Sequence, residues 1–507
     1  MASASATSAQ KKVRELAREI DVVSESDVVV VGGGPAGVGA AIAAARTGAR
    51  TILLERYGHL GGMATGGLVI LIPHLSDGFE EQQITGICQE MIDRLDVTGA
   101  AVHPRYEDLG STDPKLIAKW KEYLFFVIGG RVRMSVLVDP EILKCVLNDM
   151  MEEAGVKLFL HSWGTRAYVE ENALRGIIFE SKSGRQAILS KVVVDATGDG
   201  DIFADAGAPF DGQLDPKARI SRLALVFQIA NVDTDRFSRF MSEEQQTYAE
   251  LMYKLESLGG FSLILRGYRE DVVWVNNYFP KWVPNYMSSF VTETSVEAAQ
   301  NRFLSALNFE DLTWVEVHAR KGMRTTHDFL KRNVPGFGKS FIMNVAPQIG
   351  TRGSRRLLGE YVVTEKDIRT GTVFNDSIAL CPPIDANVSA EHPHMCIPYR
   401  ALLPKKVQNL LVAGRCFSSD LVANDVLNII PFCIAMGQAA GTAAAIAAKA
   451  DLSPGNIDVN TLQRSLIDQN VVLPEAIKQN AGAGKTSDKV GGKYRTVPGL
   501  RGMRPGV

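Results

Sequence analysis

Cysteine is scarce in this sequence. Its six cysteines are Cys88, Cys145, Cys381, Cys396, Cys416 and Cys433. No two of them form a Cys-x-x-Cys pair, which excludes a dense disulfide framework and the paired ligand spacing of a zinc site. We therefore predict reduced, mostly buried thiols in a cytoplasmic protein, with no metal site. The missing pair also argues against an enzyme that relays electrons through a redox-active dithiol.

An excess of charge of either sign is missing too. The chain has 55 Lys and Arg against 57 Asp and Glu, a net charge of −2. This balance provides no field that attracts nucleic acid, so a nucleic-acid partner is not expected. A hydrophobic fraction of 46% and a charged fraction of 22% are typical of a soluble globular protein. We expect a small-molecule substrate as the partner, and a homo-oligomer stays open.

The sequence lacks a clear secretion signal or membrane span. Residues 1–25 have no apolar h-region and predict a surface arm, within which 11–20 has the pattern of a short amphipathic helix. The stretch 426–448 is apolar and long enough to span a bilayer, but Asn428, Pro431 and Gln438 interrupt it. We predict a buried helix there and no membrane partner.

What the sequence does contain is a glycine-rich turn after a run of four valines, Val28 to Val31, that predicts a strand buried on both faces. The turn leads into an alanine-rich helix predicted over 36–47, whose positive end faces the turn. The residues of the glycine-rich turn are Gly32, Gly34, Pro35, Ala36 and Gly37. In such a turn the first glycine bends the chain, the second lets a pyrophosphate approach and the third lets the helix pack on the strand. The motif predicts dinucleotide binding.

The second strand, 51–55, ends in Glu55, close to the spacing of about 20 residues at which a carboxylate binds a ribose. A glycine-rich loop follows in place of a crossover helix, with the sequence Glu55-Arg-Tyr-Gly-His-Leu-Gly-Gly-Met-Ala-Thr65. Here the chain resembles FAD-dependent oxidoreductases with a glutathione-reductase-like flavin fold, which carry E-R-x-x-x-L-G-G-x-x-T. It is distantly similar to the fumarate-reductase and succinate-dehydrogenase flavoproteins. The resemblance implies FAD as the cofactor, with Glu55 and Arg56 at the adenosine. It places Gly61, Gly62, Met63 and Thr65 near the pyrophosphate and flavin.

A series of short strands leads to a second motif. Turn residues separate segments at 156–160, 165–170, 174–180, 186–190 and 191–195, which predicts a β-meander. The last segment runs into Ala196, Thr197, Gly198 and Asp199. This stretch resembles the Ala-Thr-Gly motif of the same flavoproteins, which implies that the four residues lie beside the cofactor.

The third motif is a late buried strand that opens at Gly414 and Arg415. In related flavoproteins this strand reaches the ribityl chain, so the resemblance implies that both residues contact FAD. Asn428 and Ile429 would then run along the isoalloxazine. They precede an alanine- and glycine-rich helix whose amino-terminal end would stabilise negative charge on the reduced flavin.

These motifs predict an α/β fold class. We expect a Rossmann-like FAD-binding domain with a parallel sheet and a β-meander, formed by 26–204 and 342–450. Between its halves, 205–341 carries no nucleotide motif and is assigned to an inserted α+β substrate domain over the flavin. Residues 451–507 form a C-terminal extension, with a helix at 459–468.

Five side chains are candidates for catalysis. They are His59, Arg352, His394, Tyr399 and Asn424. Arg352 belongs to a cluster with Arg355 and Arg356 that can clamp a substrate carboxylate or polarise a carbonyl. The plainer interpretation of the cluster is salt bridges with Glu360 and Asp367. His394 suits a general base, with an ordinary surface loop as the plainer interpretation. His59 is a candidate to hydrogen-bond FAD, to titrate with the substrate or to form a covalent link to the flavin, with a packed loop histidine as the plainer interpretation. Tyr399 would bind a substrate oxygen, and Asn424 would hold the substrate.

The sequence therefore predicts an FAD-dependent oxidoreductase, a dehydrogenase or oxidase that removes a hydride from a small organic substrate. Two alternatives stay open. One is an NAD(P)H-dependent flavin reductase or monooxygenase, although no second Gly-x-Gly-x-x-Gly is visible. The other is a flavin-bearing subunit without catalysis of its own.

Overall fold

The computed structural model describes residues 12–15, 17–79, 81–213, 222–277, 279–280 and 304–480. The strands are β1 Val22–Val31, β2 Thr51–Leu54, β3 Leu71–Ile72, β4 Ala101–Val102, β5 Val127–Ile128, β6 Arg131–Val132, β7 Val136–Val138, β8 Lys157–Phe159, β9 Trp163–Glu170, β10 Ala173–Ser181, β11 Gly184–Asp195, β12 Phe210–Asp211, β13 Arg222–Ala224, β14 Phe227–Ala230, β15 Ile264–Arg266, β16 Val273–Val275, β17 Phe279–Pro280, β18 Phe341–Val345, β19 Gly350–Thr351, β20 Arg356–Leu357, β21 Ser377–Cys381, β22 Met395–Pro398 and β23 Leu410–Val412.

The helices are α1 Pro35–Arg46, α2 Gly86–Val97, α3 Pro114–Trp120, α4 Pro140–Ala154, α5 Asp201–Asp205, α6 Thr234–Glu243, α7 Gln245–Ser257, α8 Phe309–Asn333, α9 Glu365–Thr370, α10 Leu421–Leu427, α11 Ile430–Ala450, α12 Val459–Asp468 and α13 Glu475–Asn480. Of the predicted arm and tail, residues 1–11, 16 and 481–507 lie outside the described part of the chain.

A seven-stranded sheet positions the site. Its order is β8-β2-β1-β11-β10-β9, and β23 pairs with the end of β11. The pairs β8 with β2, β2 with β1, β1 with β11 and β11 with β23 are all parallel, whereas β9, β10 and β11 form an antiparallel meander. The α/β class, the parallel sheet and the meander are thus confirmed.

Details of the strand and helix predictions need correction. The segments 186–190 and 191–195 form one continuous strand, β11, because its first half pairs with β10 and its second half with β23. The segment 156–160 contains β8, which belongs to the parallel edge and not to the meander. The helix predicted over 11–20 is wrong for 12–15 and 17–20, which are irregular, and β1 already begins at Val22 inside the predicted arm.

Helices α1 and α11 pack against each other unusually closely. A Cβ atom on Gly437 would lie 2.0 Å from the Ala36 carbonyl oxygen, and one on Gly441 would lie 2.0 Å from that of Ala40. Only glycine permits such an approach. Helix α11 is also the one helix among the described residues that is long and apolar enough to cross a membrane, and 89% of its most apolar window is buried. It is a core helix, as predicted.

The region between the two halves of the main sheet forms smaller sheets of its own. One is four-stranded in the order β15-β16-β14-β18, and another has the order β17-β13-β19. Helix α8 spans 25 residues and begins with an Asn308 cap. β18 spans the predicted boundary after residue 341 and β19 follows it, and both pair with strands that precede it, so the sheets join both sides of that boundary. The division of the chain into domains stays a prediction.

Candidate active site

The three glycine motifs meet beside a cavity of about 790 Å³ at the carboxyl ends of β1, β11 and β23. Backbone hydrogen bonds join the three segments. The Gly61 N–H donates to the Gly33 oxygen at 2.8 Å, and the Ala196 N–H donates to the Val31 oxygen at 2.9 Å. The Ala413 N–H donates to the Asp195 oxygen at 3.0 Å. In open α/β sheets the crevice at this edge is where ligands bind.

Most of the residues predicted to bind the cofactor line this cavity. They are Gly32, Gly34, Pro35, Ala36, Glu55, Arg56, Gly62, Met63, Ala196, Thr197, Gly198, Gly414, Arg415, Asn428 and Ile429. That they contact FAD stays a prediction. What the structure establishes is that segments from both ends of the chain share one wall.

Four residues that were predicted to bind the cofactor lie behind the cavity wall and do not line it. They are Gly37, Gly61, Thr65 and Asp199. A Cβ on Gly37 would lie 1.7 Å from the Gly32 oxygen, so this glycine serves the packing of helix on turn. Thr65 is fully buried, and its hydroxyl donates to the Leu60 oxygen at 2.5 Å, which closes the loop after β2. Gly61 lies in the left-handed region at φ +92°.

The turn has room for a dinucleotide. A Cβ on Gly34 would meet no atom within 4 Å, although Gly34 lies between Gly33, whose carbonyl binds the loop after β2, and the first turn of α1. The open space in front of it is part of the cavity. This is the position at which backbone must approach a pyrophosphate, and the helix dipole of α1 favours a negative group there. The residues present thus fit FAD.

Glu55 is oriented by the backbone around it. Its carboxylate accepts the Gly33 N–H at 2.6 Å and the Tyr57 N–H at 2.8 Å, and only 7% of the residue is exposed. The predicted ribose contact would use the remaining lone pairs of these oxygens.

Asp199 acts on the wall through Arg415. Its carboxylate pairs with the Arg415 guanidinium at 2.7 Å and accepts the Ser354 hydroxyl at 2.5 Å. Burial alone would raise the pKa of Asp199, but Arg415 and Ser354 outweigh it and hold the pKa below the usual value of 3.8. Arg415 is thereby fixed as a cation on the cavity wall.

Of the five catalytic candidates, only Arg352 lines the cavity. Its Nη2 donates to the Asp425 backbone oxygen at 3.2 Å and lies 3.6 Å from the Asp425 carboxylate. The other arginines of the cluster form salt bridges with Asp201 and Asp211, so the partners Glu360 and Asp367 were predicted wrongly.

His59 lies beside the site without lining it. Its ring stacks on that of Tyr57 at 5.5 Å between centroids, and Tyr57 does line the cavity. Burial and the nearby Lys144 lower the pKa of His59. This placement matches the packed loop histidine that the sequence left open.

The structure places the remaining three candidates elsewhere. His394 binds Asp77 at 2.9 Å, and both residues line a second cavity. Tyr399 is 2% exposed, and its hydroxyl donates to the Pro454 oxygen at 2.9 Å. Asn424 is fully buried and donates to the Arg415 oxygen at 2.8 Å, so it is part of the scaffold. These three catalytic assignments are corrected accordingly.

A further part of the cavity comes from outside the glycine motifs, and we call it the distal wall. It comprises Leu71, Pro73, His74, Phe125, Leu263 and Trp274. Arg222 and Asn276, from the region between the halves of the main sheet, also line the cavity. None of these residues belongs to a recognisable motif, so the sequence did not predict them.

Ser162 and Trp163 were missed as well, although a signal for them existed. They follow β8, which lies parallel to β2, and both line the cavity. The carboxyl ends of parallel strands lie at the same edge of a sheet, so residues directly after β8 must lie near Glu55. The Ser162 N–H in fact donates to the backbone carbonyl oxygen of Glu55 at 2.9 Å. The segment of β8 was predicted as part of the meander, so its parallel pairing with β2 was not expected.

The family model described as FAD dependent oxidoreductase matches residues 27–466. No curated protein sequence matches the chain. Solved structures that are similar include p-nitrophenol 4-monooxygenase from Pseudomonas putida, with 13% identity, a TM-score of 0.42, and coverage of 91% of this chain and 89% of that one. A geranylgeranyl bacteriochlorophyll reductase-like protein from Thermoplasma acidophilum has 12% identity, a TM-score of 0.39, and coverage of 91% and 97%. At such values these likenesses carry no conclusion about reaction or substrate.

Proposed function

The chain belongs to the FAD-dependent oxidoreductase family, so it is an enzyme with FAD as its cofactor. From that premise we propose that it is a dehydrogenase or oxidase acting on a small, mainly apolar organic substrate that carries an anionic group. FAD supplies a two-electron oxidant that takes a hydride, and the protein must bind and orient the C–H bond that breaks. The observation that supports the proposal is the combination of an apolar distal wall with an anchored guanidinium.

The distal wall favours an apolar substrate body. Leu71, Phe125, Leu263 and Trp274 contribute aliphatic and aromatic surface. Apolar walls with a few placed polar groups are typical of small-molecule sites, and they keep water away from a hydride in transfer.

Arg352 is positioned to bind the anionic group. It follows β19, its backbone N–H donates to the Arg222 oxygen at 3.1 Å, and its own oxygen accepts the Asn428 amide at 2.9 Å. Asp425 orients the guanidinium. Because a guanidinium has five N–H donors in a fixed plane, one that is anchored to a carboxylate can still bind a second one.

Helix α11 begins at the same place. Ile429, Ile430 and Cys433 line the cavity, and Ile429 is the N-cap. The first turn of a helix has backbone N–H groups without intrahelical partners and a positive dipole end. This end of α11 therefore favours negative charge in the cavity, which accumulates when a hydride is accepted there.

Anaerobic bleaching of the visible flavin band by a panel of 2-hydroxy acids, 2-amino acids and the matching uncharged alcohols and amines tests the proposal. We expect acids to bleach the band. Arg352→Gln should raise their half-saturating concentration by roughly 10- to 150-fold, from about 1.5–3 kcal/mol for a hydrogen bond to a charged group. The uncharged compounds should be affected little, and FAD content should not change.

The matched control is Arg369→Gln. Arg369 lies on α9, is exposed and pairs with Glu365 four residues away, so its replacement should leave both bleaching and binding as in the wild type. Bleaching by NADH or NADPH, with none by any member of the panel, would reject the proposal in favour of a flavin reductase or monooxygenase.

A further inference from the structure

Two residues of the distal wall have a backbone conformation that their side chains disfavour. His74 has φ +61° and Phe125 has φ +66°. Left-handed backbone is rare for residues other than glycine and costs about 1–3 kcal/mol, and it persists where the surroundings enforce it. The two rings contact each other, with centroids 4.7 Å apart and an angle of 47° between their planes. Both line the cavity.

One hydroxyl group joins these two segments. The His74 N–H donates to Ser135 Oγ at 3.2 Å, and the Ser135 hydroxyl donates to the Phe125 carbonyl oxygen at 3.0 Å. Ser135 is fully buried. Since a hydroxyl has one proton to donate and lone pairs to accept with, a single serine satisfies both backbones at once.

The residues beside Ser135 hold the same segments in place. The Leu75 N–H donates to the Met134 oxygen at 2.9 Å, and the Arg133 N–H donates to the Phe126 oxygen at 2.8 Å. The buried Arg133 guanidinium donates to the Pro383 oxygen at 2.8 Å, next to Ile384 and Asp385, which also line the cavity. His74 is thus held in a fixed position on the wall.

We infer that His74 is the group that exchanges a proton with the substrate, and that Ser135 is its positioning residue. The inference rests on the proposed function. It assigns an acceptor for the proton that the substrate O–H or N–H group must lose when the hydride is removed. FAD, when bound, would supply the two-electron oxidant that takes the hydrogen of the substrate C–H bond together with both electrons of that bond. The substrate's O–H or N–H bond breaks too, its proton passes to a ring nitrogen of His74, and a C=O or C=N bond forms. The imidazolium then releases the proton to solvent.

His74→Gly tests this assignment without adding backbone strain. Glycine adopts positive φ without strain, and the change leaves a space of imidazole size in the wall. We expect the FAD-loaded variant to keep its cofactor and its half-saturating substrate concentration. Its limiting rate of anaerobic flavin reduction should fall at least about 100-fold, the loss typical of a removed acid or base. Added imidazole should restore part of the rate. It should also shift the flavin spectrum, and this shift should saturate as the imidazole concentration rises.

His161→Gly is the matched control. His161 is also a histidine in the left-handed region, at φ +53°, but it is exposed and does not line the cavity. Its replacement should leave the reduction rate unchanged, and imidazole should have no effect on its flavin spectrum.

Ser135→Ala tests the positioning role. It should lower the limiting rate while the half-saturating concentration stays the same, and imidazole should not rescue it, because the His74 ring still occupies its space. In the His74→Gly background the same change should have no further effect on the rate, whereas a purely structural role would add its own loss.

The outcomes separate the two proposals. If a compound of the panel bleaches the wild type and His74→Gly is reduced at the same rate, or is slowed but gains nothing from imidazole, the assignment of His74 is wrong and the proposed function stands. If only NADH or NADPH bleaches the wild type, the proposed function fails, and the proton transfer assigned to His74 fails with it.

Discussion

Gly34→Ala should separate cofactor binding from folding. Gly34 is the N-cap of α1 with φ −73°, a value that alanine adopts readily. The added methyl group would meet no protein atom within 4 Å, so the unliganded protein should unfold at the same denaturant concentration as the wild type. The same methyl group projects into the cavity where the pyrophosphate is expected.

The expected loss of FAD affinity follows from the hydrogen bond to the diphosphate that the methyl group would remove. A methyl group that displaces the diphosphate from the first turn of α1 would remove one hydrogen bond between a backbone N–H and a charged oxygen. Such a bond contributes about 1.5–3 kcal/mol, which corresponds to a loss of roughly 10- to 150-fold in FAD affinity.

Titration of the FAD-free protein with FAD, followed by flavin fluorescence, measures this affinity, and urea unfolding measures stability. Gly455→Ala is the control, since Gly455 is exposed and does not line the cavity, and its Cβ would also meet nothing within 4 Å. An FAD affinity of Gly34→Ala within about twofold of the control would refute the placement of the diphosphate at α1.

Two further predictions concern the scaffold. Gly437→Ala should lower the free energy of unfolding by about 1–3 kcal/mol, because its Cβ would lie 2.0 Å from the Ala36 oxygen. Urea unfolding measures this change, with Gly455→Ala as the control. Equal stability of the two variants would contradict the close approach of the helices. Asp199 has a pKa below its usual 3.8, so its ionised form stabilises the fold above that pH, and this contribution is lost as the pH falls through the lowered value. The stability difference between wild type and Asp199→Asn should therefore shrink as unfolding is measured at successively lower pH, and a constant difference would contradict the pairing with Arg415.

The cofactor half of the site was predictable because backbone geometry dictates its residues. Gly37 must be glycine since any side chain would meet the Gly32 oxygen, and Gly61 needs a left-handed backbone. Such requirements leave fixed spacings in the sequence. The cap of α4 by Asp139, with Pro140 at its first position, was predictable for the same local reason.

The distal wall was not predictable, because its residues are brought together by contacts that are distant in sequence. Ser135 joins segments around residues 74 and 125 through one hydroxyl, and a lone buried serine leaves no pattern. Tyr399 illustrates the opposite error. Its hydroxyl suits a substrate contact by chemistry alone, but the fold commits it to the Pro454 carbonyl.

The close crossing of α1 and α11 has a consequence for how the protein is made. The amino-terminal ends of both helices open on the same cavity, yet nearly four hundred residues separate them along the chain. While the ribosome is still synthesising the segment before Ile430, the nascent chain has no partner for Ala36 and Ala40 and cannot enclose a flavin. We therefore expect FAD to bind only after α11 has been synthesised.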